Sequence, residues 1–312
     1  MENLTKSIVI PLDGSKNSLR SLEYINLIYG PSHNLELSLI HILPSLPPIL
    51  TDNKSDKQTR ARLKSVKKKN EEMAEQILSE AKNILLSKGF NEEKIKTCCR
   101  ERGITVTQDI CNWASIKQVD TILLTKRGNT EIKSLFMGKV STRLVEYRRN
   151  NPVWILEGSI NSKNVLVCVD NSENALRAVD HVGFMLSGTD CRITIFHTMR
   201  HLTRFISMQV LEETEDLEKL RKNKAGKEIA PYIKQAREIL LKAGLSEEQI
   251  TTKVIEGSRS AADDVLKEAQ DNDYGTIVMG RRGLSAVKEF FMGSVTTSVL
   301  NRSTSLAIWI VQ

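Results

Sequence analysis

The chain has 312 residues, 40% hydrophobic and 27% charged, with a formal net charge of +7. That is long enough for two domains, too charged for a membrane bundle and too apolar for a disordered chain. No apolar run approaches the roughly 20 residues that cross a bilayer, and no signal peptide is expected from the opening residues. Read in order, short apolar runs predict strands near 7–12, 35–42, 94–99, 121–124 and 153–156. Between them, 15–29 is amphipathic, and a long helix runs from about Ala74 to Leu86, with Gly89 as its stop. The polar stretch 157–163 reads as a linker. Further strands follow near 164–169, 192–197, 251–255, 276–279 and 307–311. A helix is expected from Pro231 to Leu241, with Gly244 as its stop, another over 260–269, and a last one from Ser294.

The two halves match. Ser7-Ile8-Val9-Ile10-Pro11-Leu12-Asp13 returns as Asn164-Val165-Leu166-Val167-Cys168-Val169-Asp170, and Leu37-Ser38-Leu39-Ile40-His41 returns as Ile193-Thr194-Ile195-Phe196-His197. Phe136-Met137-Gly138 returns as Phe291-Met292-Gly293, and Val153-Trp154-Ile155 as Ile308-Trp309-Ile310. One fold is therefore used twice, in domains set at 1–158 and 159–312. Strands apolar on both faces and joined by helices specify parallel sheets covered on both sides. With right-handed crossovers these become two tandem doubly wound α/β domains. Their last strands are bare apolar edges, so the halves are expected to pack through them as a pseudo-dimer.

Charge and cysteines are less telling. Residues 1–157 hold 25 Lys+Arg against 18 Asp+Glu, and residues 158–312 hold 20 of each. The densest basic run, from Arg60 to Lys69, has no interleaved aromatic, so it reads as a solvated helix start and nucleic acid is not the expected partner. Five cysteines without a CxxC pair suit buried thiols in a reducing cytoplasm.

Open parallel sheets bind ligands at the carboxyl ends of their strands. In the second half, Cys168-Val169-Asp170 ends one strand. Another is followed by Met279-Gly280-Arg281-Arg282-Gly283, nine residues, then Gly293-Ser294-Val295, a G-x2-G-x9-G-S spacing. Glycines let backbone N–H groups approach an anion, and the helix start at Ser294 points its positive end at the same place. Arg281 and Arg282 are expected to add positive charge. Asp170 across the crevice can accept from sugar hydroxyls or an exocyclic amine. The combination suits a nucleotide, although GxxxxGK[ST] and GxGxxG are both absent.

These features resemble the universal stress protein family, in two tandem copies over nearly all of residues 4–312. The resemblance rests on the Asp that ends the first strand, the His near the end of the second, and the glycine spacing. It implies a five-stranded parallel sheet in each domain, dimerisation through the last strands, and ATP binding where the glycine motif is intact. By motif position, Cys168, Val169 and Asp170 would border the adenine and ribose, and Thr198 and Met279 would pack at the base. Gly280, Arg282, Gly283, Gly293, Ser294 and Val295 would hold the phosphates. The cofactor implied is ATP, with or without magnesium.

The first half departs from this pattern: Thr125 replaces the first glycine and Lys139 the serine, while Asp13, Gly128 and Gly138 are kept and Ile42 follows His41. His41 and His197 lack metal-ligand spacing and read as packed beside the crevice. Trp154 and Trp309 read as core or interface residues. Asp263 and Asp264 read as a solvated helix start. The expected function is a cytoplasmic ATP-binding regulatory protein of the stress response, with no catalytic residue or metal ligand named. Its crevice loop 286–292 would respond to the nucleotide. A slow ATPase and a nucleic-acid-associated protein remain as alternatives. A second copy of the chain or another protein would complete the partners, with no role for a membrane.

Overall fold

The structure is a computed structural model that describes residues 4–45, 57–126, 151–199, 215–258, 260–283 and 292–312. The chain divides into two compact units between Val153 and Trp154. The first carries β1 (Lys6–Pro11), α1 (Lys16–Tyr29), β2 (Leu35–Leu43), α2 (Lys57–Ser87), β3 (Ile95–Glu101), α3 (Val106–Ile116) and β4 (Thr121–Thr125). Its strands lie in the order β3-β2-β1-β4, all parallel. The second unit takes in β5 (Val153–Glu157) from Trp154 onward. It continues with β6 (Asn164–Cys168), α4 (Glu173–Leu186), β7 (Arg192–Met199), α5 (Glu215–Lys242), β8 (Ile250–Glu256), α6 (Ala261–Asp271), β9 (Thr276–Gly280), α7 (Ser294–Arg302) and β10 (Leu306–Val311). There the parallel order is β10-β9-β6-β7-β8.

Both units have the doubly wound α/β arrangement expected from the sequence. Central strands are buried on both faces: Ile8, Val9 and Ile10 in β1, Val165, Leu166 and Val167 in β6, and Ile277 and Val278 in β9 are fully enclosed. β3 and β8 lie at the ends of their orders and are largely exposed after their first residue. Helix starts follow the capping rule: Ser15, Thr105, Ser172 and Ser260 each accept a backbone N–H of the helix they precede. Among the described residues, no helix is long and apolar enough to cross a membrane.

Of the two long helices, α2 opens with the solvated basic run read from the sequence, and α5 begins earlier than expected. α2 starts at Lys57, and its basic turns from Arg60 to Lys69 are almost wholly exposed. Only from Ala74 does it bury a stripe, Ala74, Leu78, Ala81 and Leu85, at the spacing of one helix face. α5 starts at Glu215 and passes through Pro231, the residue expected to open it. Proline inside a helix removes one hydrogen bond and crowds the carbonyl four residues back. Pro231 lies on the exposed side, where water can reach the carbonyl of Lys227, and the preceding turn is anchored by the buried Ile229. Gly89 and Gly244 follow the two helices at φ +89° and +99°, a backbone that favours glycine.

The cysteines only partly fit expectation. No disulfide joins them, and Cys111 and Cys191 are buried, but Cys99 is exposed and Cys98 and Cys168 are intermediate. Successive residues of a strand face opposite sides, so adjacent Cys98 and Cys99 cannot both turn inward.

Within the second unit, Trp154 and Trp309 stack with ring centroids 3.6 Å apart. His181 of α4 meets both rings edge-on at 6.0 Å, and its Nε2 accepts the Trp154 indole N–H at 3.2 Å. Burial pushes the His181 pKa down to about 3.

Two outcomes are expected. Leu85→Ala should cost the first unit about 2–5 kcal/mol, as a buried truncation does, whereas Val66→Ala on the exposed turns of α2 should stay within about 0.5 kcal/mol. Denaturant unfolding compares them, and equal losses would contradict the division of α2 into packed and unpacked parts. For His181, an unfolded chain takes up a proton below about pH 6.5 that the folded chain refuses down to about pH 3. Stability should therefore fall as pH drops through that window. His181→Gln, which keeps an acceptor for the Trp154 N–H, should flatten the slope of unfolding free energy against pH; an unchanged slope would show that His181 does not cause it.

Candidate functional site

The second unit builds its crevice from the residues that leave β6. Cys168 ends the strand, and Val169-Asp170-Asn171-Ser172 lead into α4. Asp170 Oδ1 accepts the backbone N–H of Ser172 at 3.2 Å and also its hydroxyl, while Ser172 Oγ accepts the Ala175 N–H at 3.2 Å. One short relay thus caps α4 and holds the carboxylate in place. From β7, His197 Nδ1 lies 2.7 Å from the Val169 carbonyl. Nδ1 must donate there, so the neutral ring keeps Nε2 as an acceptor. Burial lowers the His197 pKa, partly opposed by the Val169 carbonyl and by Asp170. The Cys168 thiol is pushed up to about 12 by burial and then by Asp170, so it stays protonated.

The facing wall is the end of β9. Arg281 N–H donates to the Val311 carbonyl at 2.6 Å and Gly293 N–H to the Arg281 carbonyl at 2.9 Å. Thr296 Oγ1 donates to the Gly280 carbonyl at 3.1 Å. These bonds tie the glycine-bearing segment to the start of α7. Gly293 is the N-cap of α7 and supplies no side-chain cap, unlike the Ser and Thr caps elsewhere. The first N–H groups of a helix have no partner within it. A Cβ on Gly280 would lie 3.0 Å from the Asn174 backbone, and one on Gly283 would collide with Asp170 Oδ2. The two walls therefore leave little room for a side chain at those positions.

Between the walls lies a cavity of about 430 Å³, a size usual for small-molecule sites. The eleven residues assigned by motif position all line it: Cys168, Val169, Asp170, Thr198, Met279, Gly280, Arg282, Gly283, Gly293, Ser294 and Val295. Arg281, expected beside Arg282, does not. It is 5% exposed and donates to Gln312 Oε1 at 3.3 Å. Successive side chains at a strand end alternate in direction, so the two arginines part company.

Asp264 is a second correction. It is 9% exposed, accepts the Thr198 hydroxyl at 2.7 Å and takes the Ser258 N–H on both oxygens, at 3.0 and 3.1 Å. Only its neighbour Asp263 behaves as a surface residue, paired with Arg302. The amphipathic pattern of α6 turns position 264 inward, so the adjacent acids do not form one solvated helix start. Sequence reading also missed Ala225, Glu228 and Ile229, which line the cavity from α5. They precede Pro231, the expected beginning of the helix.

In the first unit, Asp13 repeats the Asp170 arrangement: its Oδ1 accepts Ser15 N–H at 3.0 Å and Ser15 Oγ–H at 2.6 Å. His41 Nδ1 lies 2.8 Å from the Leu12 carbonyl, as His197 does from Val169. Thr125 is buried at the end of β4. Gly128, Gly138 and Lys139 lie outside the described residues, as does nearly all of loop 286–292.

This geometry has counterparts. A universal stress protein of Bacillus subtilis, YxiE, is 26% identical over 143 residues, 45% of this chain and 93% of its own. A universal stress protein structure from Archaeoglobus fulgidus matches with a TM-score of 0.58 at 18% identity, over 97% of this chain and 95% of that one. A putative universal stress protein from Pseudomonas aeruginosa matches with a TM-score of 0.54 at 15% identity, over 99% and 93%. At such identities the structures speak for the fold alone. The description "Universal stress protein family" matches residues 5–155 and again residues 161–310, and the chain belongs to that family, which it carries twice in tandem.

Proposed function

We propose that the second repeat is an ATP-binding site and that the protein serves the stress response as a nucleotide-dependent regulator. The observation that supports this most is the convergence of the eleven expected residues on one cavity. A glycine wall and the uncapped start of α7 stand on one side, and Asp170 on the other. The residues fit the group. Gly280, Gly283, Ser294 and Val295 would offer backbone N–H groups to the phosphates, with Arg282 as the cation, and Gly293, whose own N–H is held by the Arg281 carbonyl, would let them come close. Asp170 would accept from ribose hydroxyls. Cys168, Val169 and Met279 would border the base, joined by Phe196, Ala261 and Val265. ATP brings its own charge and, with magnesium, the counter-ion; the chain orients it and excludes water. Loop 286–292, between Gly283 and Gly293 in sequence, would carry occupancy to a partner.

Calorimetric titration of the full chain with ATP tests the reading. One nucleotide per chain is expected, because Thr125 interrupts the motif of the first repeat. Gly283→Val should weaken binding by at least about 100-fold, because its side chain collides with Asp170 and fills the phosphate wall. Circular dichroism should remain that of the parent. Two equal sites would overturn the restriction to the second repeat. Unchanged affinity in Gly283→Val would overturn the site.

A further inference from the structure

The first turns of α2 differ from the rest of the first unit in charge and in packing. Residues 57–69 hold seven bases and no acid. From Gln58 to Lys69 every residue is exposed except the half-buried Thr59 and Leu63. Like charges four residues apart, Arg60 with Lys64 and Lys64 with Lys68, weaken a helix. Cations at the amino end also oppose its dipole, and no acid stands in the first turn. Lys67 pairs with Glu101, and Lys68 with Glu72 at 3.5 Å, whereas Arg62, Lys64 and Lys69 enter no ion pair among the described residues. The segment is thus held against its own electrostatics, which an anionic partner would relieve.

The second repeat keeps the helix without the charge. The matching residues 212–224 hold five acids and four bases, and α5 opens with Glu215, Asp216 and Glu218. The fold can therefore be built without a basic run at this place. The run is also ordered around the helix, where successive residues turn by about 100°. The buried stripe Ala74, Leu78, Ala81 and Leu85 marks the inner side, and Gln58, Ala61 and Ser65 lie along the outer edge. Arg60, Lys64 and Lys68 form a row on one flank of that edge. Arg62 and Lys69 form a row on the other, about 150° round from the first. Lys67 falls on the inner side, where Glu101 of β3 holds it.

We propose that the first turns of α2 are a docking surface for B-form DNA. The helix lies in the major groove with Gln58, Ala61 and Ser65 leading and one row of cations on each phosphate wall. A helix about 10–12 Å across fits a groove about 12 Å wide, and the small side chains of Ala61 and Ser65 allow close approach. Phosphate contacts position a protein without reading sequence, so no sequence preference is expected. The lack of interleaved aromatics speaks against stacking on the bases of a single strand; a duplex keeps its bases paired and presents its phosphates. An RNA duplex has a deep, narrow major groove that this helix cannot enter. Docking here requires nothing of the cavity in the second unit.

The test is fluorescence anisotropy of the full chain with a labelled DNA duplex of about 20 base pairs in about 150 mM salt. A Kd of about 1–100 μM is expected, and log K should fall with log salt at a slope of about −4 to −5, as five cations on phosphates require. Lys64→Gln on one flank and Lys69→Gln on the other should each reduce that slope by about one. Ser65→Glu places a carboxylate on the leading edge and should weaken binding at least about tenfold. Lys117→Gln removes the same charge from an exposed lysine at the end of α3 and should change neither slope nor affinity. Circular dichroism should show the parent's helix content in all four. Equal losses in Lys117→Gln and Lys64→Gln would mean that net charge alone attracts the duplex, and would overturn the docking surface. Equal affinity for an RNA duplex of the same sequence would do so too, as would no binding of DNA at this salt, or binding to phosphatidylserine vesicles with none to DNA.

Discussion

Strand β6 is paired along both edges, with β7 on one side and β9 on the other. β6 connects to β7 through α4, whereas β9 is reached much later, after two further crossovers. At the carboxyl ends of β6 and β9 the chain therefore departs in opposite directions, and a gap opens between the departing segments. The cavity is that gap. The apolar strands below it fix its depth, and polar groups gather at its rim because that is where the strands stop. The same burial keeps the Cys168 thiol protonated and depresses the His197 pKa.

Polar residues around the gap are bound to protein before any ligand is considered. Asp170 caps through Ser172, His197 holds the Val169 carbonyl, and Asp264 gathers Ser258 and Thr198. A buried carboxylate without such partners would be strongly unfavourable. Glu268, one turn beyond Asp264 on α6, is 7% exposed and follows the same rule with Lys253 at 2.8 Å. The rim is thus rigid for reasons of packing, and its donors and acceptors face in fixed senses.

Much of this could be read from the sequence because the informative signals are local. Apolar strands of five or six residues, Gly89 and Gly244 as stops, and the spacing from Gly280 to Ser294 depend on neighbours along the chain. What escaped depends on neighbours in space. Pro231 reads as a helix start on local rules, yet the turn anchored by Ile229 carries the helix back to Glu215 and brings Ala225 and Glu228 to the cavity. Asp263 and Asp264 are alike in type and adjacent in sequence, but the 100° turn between successive helix residues sends one to Arg302 and the other inward to Thr198. Arg281 and Arg282 diverge in the same way at a strand end. In each case pattern fixed the element, and tertiary packing decided which way the side chain went.

The hydrogen bonds of Asp13 bear on how degenerate copies should be interpreted. Asp13 holds Ser15, and Ser15 Oγ in turn accepts the Ser18 N–H at 3.2 Å, so the acid is part of how α1 begins. Losing it would unsettle a helix whether or not anything is bound in the crevice. A duplicated gene free to shed a ligand is then not free to shed this residue, because selection for folding preserves it. Its persistence records an obligation to the fold. Thr125, which stands where the second repeat has Gly280, is buried at the end of an intact β4 and carries no such duty to a helix start.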